Sequence, residues 1–399
     1  MTMRMASSSV RSADIGSWID QRRGELVSLL QALIRARSEN PPGDERAPAA
    51  IVQHQLRDLG ADVRVVEAAP GRISVIGEFR GSRPSAALLA DAHLDTVPAG
   101  PGWSVDPFAG ELREGTIYGR GAIDHKSPIA ALLYAAAALK QSDRLPSRLV
   151  LVFDADEELG GEHGMRRLLR EVDLDVHCAL YAVPTSFSRE GAQFFGHGRD
   201  NVFSGSIGLI RLRVTYDTRV SYGVAPGEWW YTPEVAAAVA GELREALPSP
   251  RWFGGRPRAR LREGGDASQL WEVAVLPEEE PAVLVEIVRR VVERAAGRFA
   301  GAIAELERLD TVPPAHTSDD SPLVRALIEG ARVATGRTPQ VGQLAIVTGM
   351  SQIQERLAVP IAAFGYGRIE LCHVPDEHIA IDDVVAMSVA YAEAMARLS

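Results

Sequence analysis

Short apolar runs alternate with amphipathic segments along most of the chain. The runs at 86–90, 148–153 and 179–182 have the length and continuous apolar character of strands buried on both faces, as in a parallel sheet. Between them, apolar side chains recur at helical spacing. This alternation predicts an α/β fold, a mostly parallel sheet with helices on both faces. We expect helices over 14–37, 45–59, 129–139, 321–335 and 381–398, and further strands near 61–66, 74–79 and 359–364.

A different pattern begins at about residue 207. Residues 207–217 alternate apolar and polar side chains, which is typical of an antiparallel strand with one solvated face. We therefore predict a small α+β domain at 207–312, inserted into a first domain that consists of 1–206 and 313–399. After its first strand we expect a helix over 233–246, a Gly- and Arg-rich connection, a strand over 270–276, a helix over 281–296 and a strand over 302–309.

Composition narrows the classes of partner and compartment. The 399 residues carry a net charge of −10 without a basic stripe, so nucleic acid is not an expected partner. No apolar run approaches the ~20 residues that cross a bilayer, and residues 1–18 lack the apolar core of a secretory signal. The two cysteines, Cys178 and Cys372, do not make a disulfide framework. We expect a cytoplasmic protein that does not bind membranes.

Candidate chemistry begins where the run at 86–90 ends, with Asp91, His93 and Asp95. In open α/β sheets ligands bind at the carboxyl ends of strands. Residues two apart in extended backbone share a face, so His93 and Asp95 point the same way. The carboxylate of Asp95 can accept the spare N–H of His93 and leave the other nitrogen for a metal. The alternative is a strand-end histidine whose hydrogen bond to Asp95 has no further role.

Two further acidic segments lie beside predicted elements. Asp124 ends the string YGRGAID just before the helix predicted at 129–139, and the alternative to a functional role is a helix N-cap. The string DADEE at 154–158 places four carboxylates after a buried strand. Burial raises the pKa of such carboxylates unless a cation lies among them. Glu157 and Glu158 point in different directions, which suits one to ligate a metal and the other to transfer a proton; the alternative is a solvated acidic loop.

Four strings, AHLDTVPAG, YGRGAIDHK, DADEELGGEHGM and CHVPDEHIAI, occur in this order. Together they resemble the zinc amidohydrolases and exopeptidases that include aminoacylases, carboxypeptidase G and succinyl-diaminopimelate desuccinylase, and the resemblance spans nearly the whole chain. It implies that the domain of 1–206 and 313–399 binds metal, and that 207–312 is a lid and dimerisation domain through which a homodimer forms. It further implies hydrolysis of an N-acyl or peptide-like amide bond in a small-molecule substrate.

The resemblance also implies the ligands of a first metal. His93 matches one of its ligands, with the carboxylate of Asp95 behind the imidazole. Asp124 matches the carboxylate that bridges two metals. The implied ion is Zn²⁺, with Co²⁺ or Mn²⁺ as alternatives.

Three more positions match the second metal and the catalytic group. Glu158 and His373 match the remaining ligands of the second metal, and Glu157 matches the general base. A metal-bound water would lose its proton to Glu157, which would return that proton to the leaving amine. Such a base typically contributes roughly 10²–10⁴-fold to the rate.

Three positions depart from the family pattern. The Glu or Asp that precedes Pro-Thr and completes the first metal site is replaced by Val183, which has no ligand atom. The lid histidine that stabilises the oxyanion falls at Tyr222, a hydrogen-bond donor that cannot carry imidazolium charge. The lid arginine that binds a substrate carboxylate falls near Ala274 or Val275.

These departures leave the site around His93 incomplete, and we expect one metal per chain at the other site, held by Asp124, Glu158 and His373. The leading hypothesis is a metal-dependent amide hydrolase. A second hypothesis keeps the fold and the metal but assigns a different reaction, in a biosynthetic pathway. A third is a non-catalytic homologue that binds a ligand, against which Glu157 is retained.

Two neighbours of the matched positions are interpreted as structural. We expect His125 to be exposed at the surface, the alternative being a hydrogen-bond donor close to the ligands. We expect Cys372 to be a buried structural thiol, the alternative being a soft metal ligand.

Overall fold

A nine-stranded mixed sheet lies at the centre of the computed structural model, which describes residues 14–82, 87–195, 197–217, 232–250, 253, 256–264, 268–298 and 303–398. The elements before the predicted insertion are, in chain order, α1 (Ile15–Asp20), α2 (Arg23–Arg35), α3 (Arg46–Asp58), β1 (Asp62–Ala69), β2 (Arg72–Arg80), β3 (Ala87–His93), β4 (Glu111–Arg113), β5 (Thr116–Tyr118), α4 (Lys126–Gln141), β6 (Arg148–Asp154), α5 (Met165–Glu171), β7 (Cys178–Ala182), α6 (Arg189–Phe195) and β8 (Asn201–Ser206).

The remaining elements form the insertion and the return of the chain to the main sheet. The insertion contains β9 (Gly208–Asp217), α7 (Thr232–Ala246), β10 (Ala259–Gly264), β11 (Ser268–Val275), α8 (Pro281–Ala296) and β12 (Ile303–Val312). The returning chain contains β13 (Ala315–His316), α9 (Pro322–Thr335), β14 (Gln340–Leu344), α10 (Gly349–Leu357), β15 (Ile361–Phe364), β16 (His378–Ala380) and α11 (Ile381–Arg397).

The order of the strands places several carboxyl ends at one edge. The large sheet runs β1-β2-β6-β3-β7-β15-β8-β13, with β14 paired to β8. Its central strands β6, β3, β7 and β15 are parallel to one another. The predicted α/β fold with a mostly parallel central sheet and flanking helices is confirmed. The loops that follow these four strands therefore meet where ligands bind in such sheets.

Helices cover both faces of this sheet. Successive strand residues point to opposite sides, and in the central strands the side chains on both sides are apolar. Leu88 and Ala90 pack in the cluster that includes α2, α4 and α11, whereas Leu89 packs in the cluster that includes α5 and α10. Helix α4 is buried at every residue from Lys126 to Leu139. A helix that is apolar on all sides belongs in the interior, and the segment just before α4 is anchored by that burial.

The insertion forms a separate antiparallel sheet in the order β10-β11-β9-β12. Its apolar face packs with α7 and α8, and Leu212, Trp271 and Val292 lie in this cluster. That arrangement agrees with the α+β pattern of the sequence, and the limits 207 and 312 of a separate domain stay a prediction. A third sheet of three strands, β16-β5-β4, lies beside the main one.

Two predicted segments differ from the structure. The helix predicted over 14–37 is two helices, which a turn at Gln21 and Arg22 separates; the apolar positions keep their spacing across this turn, so the spacing did not reveal it. The Gly- and Arg-rich connection contains strand β10, which pairs with β11. Among the described residues, no helix is long and apolar enough to cross a membrane.

Candidate metal centre

The candidate site lies where β3, β6 and β7 end. His93 and Asp154 are register partners at the ends of β3 and β6. Asp91, two residues before His93, is the partner of Tyr181 on β7. Partners in a parallel ladder point to the same face, so these side chains lie together. Burial raises the pKa of Asp91 to about 8, with the nearby His93 acting in the opposite direction.

Asp124, Glu158 and His373 form a group whose ligand atoms all lie within 4.8 Å of one another. His373 Nε2 is 3.2 Å from Asp124 Oδ2 and 3.2 Å from Glu158 Oε2. Among the described residues no arginine or lysine pairs with either carboxylate. Hydrogen bonds to Asp124 and Glu158 raise the pKa of His373 to about 10. Two carboxylates and an imidazole this close together are ligand types that fit a zinc ion.

His93 has the hydrogen bonding of a metal-ligating histidine. Its Nδ1 lies 3.1 Å from the main-chain oxygen of Asp95 and 3.3 Å from Asp95 Oδ1, so Nδ1 carries a proton. Its Nε2 lies 3.2 Å from Asp124 Oδ1. In the neutral tautomer Nε2 has a lone pair, and two acceptors at that distance need a cation or a proton between them. The Asp124 carboxylate thus faces both His93 and His373.

His125 is buried, and the expectation that it is exposed is wrong. Its ring stacks on that of His93, with centroids 4.1 Å apart and planes at 16°. Its Nδ1 accepts the main-chain N–H of His93 at 3.2 Å, so the ring proton is on Nε2, which has no hydrogen-bond partner in the described part of the chain. The lone pairs of imidazole nitrogens lie in the ring plane, so two stacked rings do not direct them at one ion. His125 therefore packs against His93 and is not counted among the ligands at that position.

Val183 follows β7 and packs against the apolar cluster on the α5 and α10 face. It offers no ligand atom at the position where the family resemblance implies a carboxylate. In the described ranges, the ligand atoms around His93 that all lie within 4.8 Å of one another belong to His93, Asp124 and His125. The cluster at His373 has three side chains able to ligate a metal. The cluster at His93 has two when His125 is not counted.

Glu157 lies in a short 3₁₀ turn, Glu157–Leu159, between the two groups. Asp95 holds this turn, because its Oδ1 and Oδ2 accept the main-chain N–H groups of Glu157 and Glu158 at 3.1 and 3.2 Å. The phenol of Tyr181 donates to Glu157 Oε1 at 2.6 Å, and Glu157 Oε2 lies 4.0 Å from His93 Nε2. Burial raises the pKa of Glu157, an effect that His93 opposes and Glu158 reinforces. A carboxylate with a raised pKa beside a cation site is suited to accept a proton.

A buried hydrogen-bond network, which the apolar pattern did not indicate, binds the acidic loop at residues 154–158. Arg72 donates to Glu45 Oε1 at 2.6 Å, to Asp156 Oδ1 at 2.9 Å and to Asn40 Oδ1 at 2.8 Å. Asn40 Nδ2 in turn donates to Asp95 Oδ2 at 2.8 Å and to Asp156 Oδ1 at 3.1 Å. The string NPPG at residues 40–43 is typical of a turn and gives no sign of these buried contacts.

Glu377 is a second contributor that the sequence analysis missed, although it lies in the string CHVPDEHIAI. Its Oε1 accepts the main-chain N–H groups of Ile123 and Asp124 at 2.8 and 3.0 Å. Its Oε2 accepts the N–H of Gly121 at 3.2 Å and pairs with Arg120. The side chain is fully buried, and it connects the segment of His373 to the segment of Asp124.

The other sequence-predicted positions are placed as follows. Asp124 is not a helix cap, since α4 begins at Lys126 without a side-chain capping bond. Cys372 is half-buried and belongs to neither ligand group of the described residues. Tyr222 lies outside the described residues. Ala274 and Val275 are buried on β11; Arg258 donates to the main-chain oxygen of Ala274 at 3.1 Å and pairs with Glu279.

The chain resembles known proteins over most of its length. The family model described as peptidase family M20/M25/M40 matches residues 89–397. Succinyl-diaminopimelate desuccinylase of Caulobacter vibrioides is 27% identical over 391 residues, which cover 93% of this chain and 95% of the relative. Aminoacylase-1 of Sus scrofa is 33% identical over 168 residues, so this match spans 41% of either chain.

Solved structures share the fold at low sequence identity. Human carnosine dipeptidase 1 superposes with a TM-score of 0.69 at 16% identity, covering 96% of this chain and 98% of that one. A protein of Bacillus subtilis described as a dinuclear metal binding peptidase superposes with a TM-score of 0.67 at 17% identity, covering 95% and 98%.

Proposed function

The chain belongs to peptidase family M20/M25/M40, whose members are metal-dependent hydrolases, and from this premise we propose that it hydrolyses an amide bond of a small molecule with a metal-activated water. The observation that carries the proposal is His373 Nε2 at 3.2 Å from both Asp124 and Glu158. Glu157 is the chain neighbour of Glu158, and its Oε2 lies 4.0 Å from His93 Nε2. The names of the two sequence relatives, an aminoacylase and a desuccinylase, favour an N-acyl substrate.

We propose one Zn²⁺ ion per chain, held by Asp124, Glu158 and His373. Two carboxylates and an imidazole also suit Co²⁺ or Mn²⁺. Val183 leaves the position at His93 without a third protein ligand, which supports one ion rather than two. When bound, the ion supplies Lewis acidity toward the scissile carbonyl and lowers the pKa of a coordinated water.

The chain's own side chains would then transfer the proton. Glu157 would accept the proton of the attacking water at Oε2, because Oε1 is occupied by Tyr181. It would return this proton to the leaving amine. Asp95 would orient both His93 and the turn of Glu157, to which it is bonded. Burial of Asp95 keeps water from competing for these bonds.

Substrate recognition is proposed to differ from that of relatives that bind a free carboxylate through a lid arginine. Neither Ala274 nor Val275 is basic, and the nearby Arg258 is engaged with Glu279. We propose Tyr222 as a hydrogen-bond donor to the substrate. We further propose a homodimer through residues 207–312, in the cytoplasm.

The test is metal analysis of the purified protein together with a hydrolysis screen of N-acetyl and N-succinyl amino acids and dipeptides. We expect one divalent ion per chain and turnover of at least one substrate class. Glu157→Ala should lower the rate by roughly 10²–10⁴-fold and keep the metal. Absence of a divalent ion, together with full activity of Glu157→Ala, would contradict the proposal.

A second candidate function rests on the three departures at Val183, Tyr222 and the lid arginine position. A site altered at all three is also consistent with another reaction on a related substrate in a biosynthetic pathway, or with ligand binding without catalysis. Tight metal binding without turnover of any compound in the screen would favour this second candidate.

A further inference from the structure

The end of β7 carries two residues that distinguish this site, Tyr181 and Val183. Tyr181 lies in β7 and Val183 directly follows it, and both side chains pack in the apolar cluster on the α5 and α10 face of the sheet. Val183 removes a ligand from the position near His93, while Tyr181 brings a phenol to Glu157. We propose that Tyr181 is a positioning residue for Glu157: its O–H holds Oε1 in place, so that Oε2 is the oxygen that accepts a proton. This inference rests on the proposed function of Glu157 as the base.

The contact has the geometry of a strong hydrogen bond. The phenol oxygen of Tyr181 lies 2.6 Å from Glu157 Oε1. Bonds from a hydroxyl to an ionised carboxylate fall in this range and are about twice as strong as neutral ones. Tyr181 is 2% exposed, so water does not compete for the phenol.

The ring of Tyr181 has little freedom to move. Its backbone is paired with Asp91 on β3 and with Ala363 on β15. Gly349, the first residue of α10, packs on the ring so closely that a Cβ there would lie 3.0 Å from Cε2 of Tyr181. A glycine at this position therefore leaves room for the phenol. The donor is held by two strands and one helix.

Glu157 itself depends on such a donor. Its side chain keeps 23% of its surface exposed, and the last torsion of a glutamate is broad, so a free carboxylate would rotate and exchange its two oxygens. With Oε1 bonded to Tyr181, Oε2 lies on the side of His93, 4.0 Å from its Nε2. The carboxylate is then oriented before a ligand arrives, which removes part of the entropic cost of reaching the reactive geometry.

The chain offers a matched control in Tyr391. This tyrosine is also buried, and its O–H donates to the main-chain oxygen of Phe364 at 2.8 Å. Tyr391→Phe removes a buried phenol bond of similar length at a place that does not touch Glu157. A general loss of packing or stability would affect both variants, whereas a positioning effect would be confined to Tyr181→Phe.

The first experiment measures the dissociation constant of acetohydroxamic acid on the zinc-loaded full chain. This probe binds a metal ion through its oxygens and gives up a proton to a neighbouring base. Tyr181→Phe should weaken binding about tenfold, as loss of an orienting partner typically does. In the Glu157→Ala background the same change should have no effect, and Tyr391→Phe should bind like the unmodified chain. Unaltered affinity of Tyr181→Phe, or equal weakening in both backgrounds, would overturn the proposal.

The second experiment measures thermal unfolding midpoints of the same set without the probe. If the phenol and the carboxylate interact, the loss in Tyr181→Phe and the loss in Glu157→Ala will not add in the double variant. If the losses of the two single variants add in the double variant, Tyr181 and Glu157 do not interact, and the proposal is wrong. A zinc-loaded chain that binds no hydroxamate would count against the proposed function instead, and this unfolding cycle would still decide whether Tyr181 holds Glu157.

Discussion

The carboxylate of Glu377 accepts the main-chain N–H of Asp124 at 3.0 Å, so the segment that contains His373 is bonded directly to the segment that contains Asp124. Both oxygens of Glu377 are used, and its other partners are the N–H groups of Ile123 and Gly121 and the guanidinium of Arg120. Two of the three proposed zinc ligands thus have their spacing set by one side chain that is not itself a ligand.

Glu377→Gln should lower zinc affinity by about 10- to 100-fold, the usual effect of losing a partner that orients ligands. The amide replaces one acceptor oxygen by an NH₂ group, which would face N–H donors of Gly121 or Ile123. Chelator competition measures the affinity. Glu393→Gln on α11, which disrupts ion pairs with Arg144 and Arg397, is the control and should retain wild-type affinity. Equal affinities of both variants would contradict the prediction.

Val183→Glu should raise the zinc content from one to two ions per chain. The carboxylate would supply the ligand that the position near His93 lacks, next to Asp124, which already faces both positions. Metal analysis after dialysis against excess zinc measures the change. Val183→Gln, similar in size but uncharged, should stay at one ion. Two ions bound by the unmodified chain would refute the prediction and the proposed stoichiometry.

Glu45 should make folding stability fall as the pH rises from 4.5 to 7. Burial raises its pKa from 4.5 to about 7, with Asp95 adding to the shift and Arg72 opposing it. Below pH 4.5 both states hold the proton and the group contributes nothing. Between the two values the unfolded chain releases the proton first, so the folded state becomes less favourable, by about 3 kcal/mol at most.

Glu45→Gln should remove this part of the pH dependence. Urea unfolding of both proteins across pH 4.5 to 7 gives the comparison, because contributions of all other groups cancel in the difference. Parallel curves for the two proteins would show that the carboxyl group of Glu45 does not behave in this way.

Asn40→Asp should destabilise the fold more than Asn40→Ala. The amide of Asn40 donates to Asp95 and to Asp156, and an aspartate would place a third buried carboxylate against these two. Loss of the bonds alone costs about 1–3 kcal/mol, and a further buried charge that shares the guanidinium of Arg72 with Glu45 and Asp156 raises the loss to about 3–5 kcal/mol. Urea unfolding at neutral pH measures both variants. An aspartate variant at least as stable as the alanine variant would be the contrary result.

The sheet and its helices were predictable because their pattern is apolar and periodic. The apolar runs that correspond to β3, β6 and β7 are continuous. Those of β3 and β6 are followed by polar and charged residues at their carboxyl ends. The turn at Gln21 and Arg22 was missed because the apolar spacing continues across it. Strand β10 was missed because its side chains, from Ala259 to Gly264, are mostly solvated and carry little apolar signal.

Candidate ligands were predictable from residue type and string order, whereas the groups that orient them were not. His125 was expected at the surface because a polar residue before a helix gives no sign of burial; the signal available was that α4, which starts next to it, is apolar on every side. Tyr181 lies within an apolar run, where its phenol has no distinguishing pattern. Buried polar partners such as Arg72 and Glu377 depend on contacts across long sequence separations, which periodicity does not encode.

Asn40 and Arg72 precede residue 89, where the match to the family begins. A fragment trimmed to the matched part would leave Asp95 and Asp156 without their amide and guanidinium donors, and it would strip β2 from the edge of β6. An open edge on a sheet with an apolar interior invites pairing between molecules. Deletion studies should therefore keep the residues ahead of position 89, because β2 and the donors Asn40 and Arg72 lie there.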